Sequence, residues 1–437
     1  MKNVICSISP GNLGTPGNDD IPVLLYGSHH QAGAAASIGN SIIREVSRFL
    51  TKPTTIAFDF MTIALAVTAA DTCVIRKHAA DGWCREIRLV VPVIDPTPWH
   101  RLTSRFEDTL GFLTGDKWHF EFTDGGMKPP DLMKSKAANV RRTRIFGKDC
   151  VCLLSGGLDS AAGAAEIIAN GKKPVLVSHA YPKDAEKQDS VAGNLTGDFV
   201  RVCLNANPVW SGKASETSMR SRSLNFIAFG ALAASVVGRV NDIDVVELVI
   251  PENGLISINP PLTPRRVGSL STRTTHPYFL SQLQGILDQA GLNLKMVNPY
   301  KFKTKGELLD ECPDQKFLKN TAASTVSCGR WKRSSQQCGR CVPCIVRRAA
   351  FNAWGVPDPT YYRQMNLTRV LTDEGNNDDL LSFAVACHRS RNDWRPQWVS
   401  QNGPLPSAAD GRAEFVDVVR RGLNEVADFF TSQGITI

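Results

Sequence analysis

The sequence has no uninterrupted apolar stretch of the about 18 residues that a membrane span needs; its best candidate, residues 63–70, lies between Asp59 and Asp71. A soluble chain is expected. Its first residues, Met1-Lys2-Asn3-Val4-Ile5-Cys6-Ser7, lack the apolar core of about 7–15 residues that marks a secretory leader, which predicts a cytoplasmic location. Internal repeats and low-complexity tracts are missing, and so are the Lys-Ser/Thr ending of a Walker A loop and the spaced glycines of a dinucleotide fingerprint. Charge of one sign is also scarce. Fifty Lys and Arg against 42 Asp and Glu leave +8 over 437 residues, an excess that suits phosphate-bearing or other anionic ligands but is too dilute to mark a DNA-binding surface. With 42% hydrophobic and 21% charged residues, the balance is globular and excludes a disordered chain.

What is present begins with length, enough for two to four domains at about 100–200 residues each. Residues 1 to about 53 are rich in Gly, Ser, Pro and Asn. Residues 58–70 then read as an apolar helix, and 85–93 and 118–122 as strands. Together with a basic linker over 127–148 that carries Arg141, Arg142 and Arg144, this predicts an α+β accessory domain over 1–148. From 149 to 355 strand and helix patterns alternate, with strands expected at 150–154, 174–179, 200–205, 245–250 and 294–297 and helices at 160–169, 223–237 and 278–290. That pattern predicts a doubly wound parallel α/β sheet. Residues 356–437 read as a helical tail, with apolar positions at helical spacing over 413–430.

The chemistry starts at Ser155-Gly156-Gly157-Leu158-Asp159-Ser160, between an apolar strand and an alanine-rich helix. Two glycines permit a tight turn that brings several N–H groups to one anion, and the positive helix end adds attraction. Ser155 and Ser160 add hydroxyl donors. Asp159, itself negative, would hold the loop or a Mg²⁺ that bridges to phosphate oxygens. The alternative is a plain glycine turn with an Asp or Ser cap. The segment resembles the SGGxDS loop of the PP-loop ATP pyrophosphatases, a HUP-like fold that cleaves ATP into AMP and pyrophosphate. His179 ends the second strand of this sheet, where parallel sheets carry ligand-binding groups, and is expected beside ATP.

Twelve cysteines could build a disulfide framework, but eight are scattered and four, Cys328, Cys338, Cys341 and Cys344, form Cys-x9-Cys-x2-Cys-x2-Cys. Four soft ligands at such spacing suit tetrahedral Zn²⁺, with an iron–sulfur cluster as the competing reading. A metal held by four protein ligands has no open position for water, so it is expected to be structural.

Loop and cysteines together, over about 149–355, resemble the 7-cyano-7-deazaguanine synthases, the QueC family of ligases forming C–N bonds. Arg222-Ser223-Leu224-Asn225-Phe226 is similar to the family's Arg-Asn-x-x-Phe helix start, and Thr304-Lys305-Gly306-Glu307 to its Thr-Lys-x-Glu segment. The resemblance implies ATP at residues 155–160, adenylation of 7-carboxy-7-deazaguanine, and attack by an amine on the activated acyl group. Lys305, Arg222 and Arg273 would donate to the charge that develops. Where the family carries its substrate loop, this chain has Glu252 and Asn253, and later Arg273 and His276, which would line the acceptor or base pocket. The chain is larger than a free-standing family member. With Asp59, Asp71 and Trp83 in the added region, it looks like the enlarged QueC-like (QatC-like) proteins of bacterial antiviral defence operons, which implies transfer to an amine of a partner protein and leaves room for a homodimer. Ammonia as acceptor, giving the nitrile preQ0, nucleic-acid modification, and a non-catalytic nucleotide-binding subunit are the other readings.

Overall fold

The protein is seen in a computed structural model that describes residues 1–13, 17–132, 142–179, 181–268, 272–331, 335–373, 375 and 377–437. Arg141 of the expected basic linker lies outside the described residues. Among the described residues, ten strands form two five-stranded sheets. The first contains β1 (Lys2–Ser7), β2 (Asp20–Leu25), β3 (Ala36–Ile38), β4 (Glu86–Pro92) and β5 (Lys117–Thr123), in the order β3-β2-β1-β4-β5. The second contains β6 (Cys150–Leu153), β7 (Pro174–His179), β8 (Val200–Leu204), β9 (Val246–Val249) and β10 (Leu294–Val297), in the order β10-β9-β6-β7-β8. All neighbouring strands are parallel. Numbered within each sheet, both follow the same order, third-second-first-fourth-fifth.

The α/β doubly wound expectation therefore holds for the second sheet, and the region expected as α+β is parallel α/β as well. Short strands hid it. The segment of β2 contains Pro22 and is flanked by Gly and Asn residues, and β3 has only three residues, so turn chemistry dominates the local pattern. The helix Pro96–Thr114 is also absent from the sequence expectations, although Asp95 caps it by accepting from Thr97 N–H at 3.0 Å, Pro96 opens it, and Gly115 ends it in the left-handed region at φ 76°.

The helices Thr55–Cys73 and Pro96–Thr114 lead into β4 and β5, and Arg222–Asn241 and Pro277–Gln289 lead into β9 and β10. These two helix layers pack on each other, Thr55–Cys73 against Arg222–Asn241 and Pro96–Thr114 against Pro277–Gln289. One apolar core consequently runs from Val4 and Leu89 through Phe58 and Phe229 to Val151 and Leu248. This placement explains why Thr55–Cys73 and Arg222–Asn241 reach the length and hydropathy of membrane spans while 89% and 67% of those windows are buried inside the protein.

The C-terminal region is helical as expected. The helices Asp378–Asn392 and Arg412–Ser432 form a second core with Val342–Trp354, which begins inside the cysteine cluster. Leu380, Phe383, Val418 and Leu423 from the tail meet Leu255, Ile258 and Ile345 from the sheet domain there. The tail is thus packed against the wall that carries the candidate site.

Candidate active site

β6 ends at Leu153, and the chain turns through Ser155, Gly156 and Gly157 into the helix Leu158–Ala169. Gly156 lies in the left-handed region at φ 84°, and a Cβ there would come within 3.2 Å of the Gln188 side chain. The turn is clamped from outside. Gln188 Nε2 donates to the carbonyls of Ser155 and His179 at 3.3 Å, and Val326 N–H donates to Gly156 O at 3.0 Å. Inside, Ser155 Oγ donates to Ser160 Oγ at 3.0 Å, and Ser160 Oγ donates to Gly157 O at 3.0 Å. The first N–H groups of the helix have no intrahelical carbonyl and are open to an anion.

Asp159 does not point at that anion site. Its carboxylate is buried and accepts from Asn253 N–H at 3.1 Å, from Asn253 Nδ2 at 2.7 Å, and from the Lys305 ammonium. Glu252 shares a hydrogen bond with it. Burial opposes ionisation of Asp159, but the charge of Lys305 and the hydrogen bonds from Glu252, Asn253 and Lys305 outweigh it and hold the carboxyl below its ordinary range. For Glu252 burial comes first and the charge of Asp159 second, and both push its pKa well above the carboxylate range. The two carboxyl groups beside Lys305 are therefore pushed in opposite directions, Asp159 toward the ionised form and Glu252 toward the protonated one. With Asp159 engaged by Lys305 and Asn253, its loop-holding role fits the structure and a direct magnesium contact does not.

Lys305 reaches Asp159 from the start of a short helix, Lys305–Asp310. Thr304 Oγ1 accepts from Glu307 N–H at 3.1 Å and Glu307 Oε2 accepts from Thr304 N–H at 2.9 Å, a capping box that explains the Thr-x-x-Glu spacing.

A cavity of about 400 Å³ opens beside the loop, bounded by Ser155, Gly157, His179, Arg222, Phe226 and Glu252. Its size lies within the about 300–1,000 Å³ of small-molecule sites. It sits at the carboxyl edge between β6 and β9, where the order of the sheet reverses. Arg222 opens the helix Arg222–Asn241, pairs with Asp184 at 2.8 Å and lies 5.2 Å from the Tyr181 ring centre. His179 is buried at the end of β7 and meets the Phe229 ring edge-on at 5.2 Å. Four buried polar atoms of the wall, Gln188 Oε1, Ser223 Oγ, Thr275 Oγ1 and Trp331 Nε1, have no hydrogen-bond partner among the described residues. Buried polar groups seldom stay unpaired; a polar ligand would satisfy them. An adjoining, more open cleft of about 490 Å³ shares Val326 and Trp331 with the cavity but none of the loop residues.

Not every expected residue reaches the cavity. Asn253 is fully buried, locks Asp159 and caps the helix Gly254–Ile258 through Ile256 N–H at 3.1 Å. Arg273 donates to the carbonyls of Phe112 at 2.8 Å and Asn402 at 2.7 Å. His276 caps the helix Pro277–Gln289, its Nδ1 accepting from Tyr278 N–H at 3.2 Å, and burial, then the charge of Arg273, pushes its pKa down to about 3. Asn225 is buried one turn beyond Arg222, with both amide atoms unpartnered among the described residues. Gln188, Thr275 and Trp331 join the wall without a signal in the sequence, and Ser223 joins it from inside the Arg222–Phe226 segment, where it was not singled out.

The four cysteines converge. The Sγ atoms of Cys328, Cys338, Cys341 and Cys344 are buried and lie within 4.8 Å of one another, with Cys338 to Cys344 at 3.9 Å and Cys328 to Cys341 at 3.8 Å. Four thiolates at about 2.3 Å from a tetrahedral ion stand about 3.8 Å apart, so the cluster could hold one metal such as zinc; a polynuclear cluster would spread the sulfurs over several irons. Backbone N–H groups of Arg330 and Cys338 donate to Cys328 Sγ, and that of Cys341 to Cys338 Sγ, each at 3.3 Å. Because Ser327, Cys328 and Gly329 also line the cavity, the cluster braces its wall. The purified protein is expected to carry about one metal ion per chain by elemental analysis, and Cys341→Ser to lose it together with at least about 3 kcal/mol of stability. A metal-free protein of unchanged stability would contradict this.

No protein-family profile matches the chain. Among proteins of known function, it is 26% identical over 251 residues to 7-cyano-7-deazaguanine synthases of Brucella canis, Brucella suis biovar 1 and Brucella ovis, a match that covers 97% of each relative and 51% of this chain. The chain is a distant homologue of 7-cyano-7-deazaguanine synthase. The synthase is thus accommodated almost whole, and about half of this chain is additional to it.

Proposed function

We propose that the protein adenylates the carboxylate of 7-carboxy-7-deazaguanine with ATP and transfers the activated acyl group to an amine, in the cytoplasm, with residues 149–355 as the catalytic part. A carboxylate oxygen attacks the α-phosphorus, the bond to the bridging oxygen breaks, and pyrophosphate leaves. The amine nitrogen then attacks the acyl carbon, AMP departs with the bonding pair, and the amine proton passes to solvent or a base. The observation that carries this reading is the glycine turn opening onto a cavity with unsatisfied polar groups at the sheet's switch point, in a chain that matches nearly the whole length of the synthase.

In this reading Ser155, Gly156, Gly157, Leu158 and Ser160 hold the phosphates, Asp159 and Lys305 fix the loop, and His179 flanks the nucleotide. Arg222 stabilises the charge developing at phosphorus, Glu252 lies toward the base, and Asn225 stands behind the wall one turn beyond Arg222. Asn253, Arg273 and His276 hold these groups in place. Magnesium arrives with ATP, and zinc fills the four-cysteine cluster. The acceptor is an amine of a partner protein, as in an antiphage defence system; the added half of the chain supports a macromolecular acceptor. A second reading, ammonia as acceptor to give the amide, which a second ATP activates at its oxygen so that AMP carries that oxygen away and leaves the nitrile, is favoured by the name of the relatives.

The test is pyrophosphate release from ATP with 7-carboxy-7-deazaguanine, followed by mass spectrometry after adding ammonia or a protein encoded nearby. Release by the wild type and a loss of at least about 100-fold in Asp159→Ala are expected; equal release by both would overturn the site.

A further inference from the structure

The wall of the cavity that carries Arg222, Ser223 and Phe226 is held from outside the second sheet. Ser221, the residue before the helix Arg222–Asn241, is buried and makes no side-chain cap of its own. Its N–H and its Oγ both donate to Oδ2 of Asp71, each at 2.8 Å, across 150 residues of sequence. Asp71 stands in the last turn of Thr55–Cys73, a helix of the N-terminal sheet. Its other oxygen accepts from Arg85 Nη2 at 2.6 Å, and Arg85 is itself fixed by Asp116 at 2.6 and 3.1 Å. The chain approaching Ser221 is gripped by the end of that helix and the turn that follows it: Glu216 N–H donates to Thr72 O at 2.8 Å, Arg76 N–H to Glu216 Oε2 at 3.0 Å, and Arg76 Nε to Ser218 Oγ at 3.1 Å.

Such a fully buried set of charges is a poor source of stability, because desolvation offsets its attraction, and its best-attested use is to fix one geometry. A carboxylate at the start of a helix also matches the positive end of the helix dipole. Here it fixes the residue directly preceding Arg222. We propose that Asp71 is a positioning residue: acting through Ser221, it sets where Arg222 enters the cavity, so the N-terminal sheet is part of the catalytic frame and not an appended module. The kinetic part of this inference rests on the adenylation reading above.

The experiment compares full-length wild type with Ser221→Ala, which keeps the N–H bond to Asp71 and removes the hydroxyl, with Ser221→Thr, which returns the hydroxyl, and with Asp71→Asn. For pyrophosphate release, kcat is expected to fall about tenfold in Ser221→Ala and more in Asp71→Asn, with KM for ATP within about twofold, and Ser221→Thr to recover most of the rate. The thermal midpoint of Ser221→Ala should stay within about 4 °C of the wild type. A wild-type kcat in Ser221→Ala, or a loss that Thr does not restore and that tracks a falling midpoint, would overturn the proposal. Amide hydrogen exchange decides it separately if the wild type releases no pyrophosphate with this acid. Residues 222–226 should exchange about tenfold faster in Asp71→Asn while β8 is unchanged; equal protection in both proteins would overturn positioning.

Discussion

Replacing Lys305 by methionine is expected to lower the stability of the protein by about 3–5 kcal/mol, because it leaves a buried carboxylate without its cation. The effect is large for a reason visible in the partners. Asp159, Lys305 and Asn253 are all buried, and two carboxyl groups, Asp159 and Glu252, share the single ammonium. Without it, Asp159 would take up a proton, and the start of the helix Leu158–Ala169 would lose its anchor to the β9 edge. Pyrophosphate release should therefore fall by at least about 100-fold even at temperatures where the variant is folded. Urea unfolding followed by tryptophan fluorescence, with activity measured below the midpoint, checks both parts; a stable and active Lys305→Met protein would show that Asp159 is held by other groups.

Glu252→Gln is expected to change the pH dependence of stability. A carboxyl whose pKa is raised by folding keeps a proton that the unfolded chain has released, so its contribution is fully present below the unfolded value, about 4.3, and is lost as pH rises through the folded value. Glu252 is raised by burial and by Asp159. The wild type should therefore lose stability on going from pH 5 upward to the raised value, by about 1.4 kcal/mol for each pH unit crossed. Glutamine mimics the protonated form and should remove that slope, leaving the variant the more stable of the two at high pH. Asp159 works in the opposite sense: its pKa is lowered, so its contribution is present above about 3.9 and disappears only as pH falls through the folded value. Denaturation midpoints of the two proteins between pH 5 and pH 9 separate the contributions. Parallel curves would mean that Glu252 is ionised in the folded protein.

These predictions draw on groups of unequal visibility in the sequence. The glycine loop and the four cysteines were legible because their chemistry is local: a strand, a turn and a helix start within ten residues, and four thiols within seventeen. The second sheet was legible for a similar reason, since β6 and β7 are buried apolar runs, each followed by a helix. Of the first sheet only β4 and β5 were legible, as the strands expected at 85–93 and 118–122. Its strands β1 and β2 are joined by a short Gly- and Pro-rich connection whose described residues include a 3₁₀ turn, Pro10–Asn12, and this sequence lacks the apolar helical pattern that identifies a parallel sheet. The partners of the site were hidden by distance. Asp159 meets Lys305 across 146 residues and Ser221 meets Asp71 across 150, so only the folded chain brings them together. Residues such as Arg273 and His276 carry site-like chemistry in sequence, yet in the fold they hold Phe112, Asn402 and a helix start. Polar residues near a predicted pocket do not reveal which side of its wall they occupy.

The match to the synthase covers about half of the chain, while the helices of the two sheets share one core. Deleting the N-terminal region would therefore expose the apolar faces of Arg222–Asn241 and Pro277–Gln289, and activity has to be measured on the whole protein. The most direct test of the account is pyrophosphate release from ATP by full-length protein, with 7-carboxy-7-deazaguanine present and absent. Release that requires the acid and leaves its adenylate, detected by mass spectrometry before any amine is added, is the predicted result. Full-length, metal-loaded protein that binds ATP but forms neither pyrophosphate nor adenylate with this acid would contradict it.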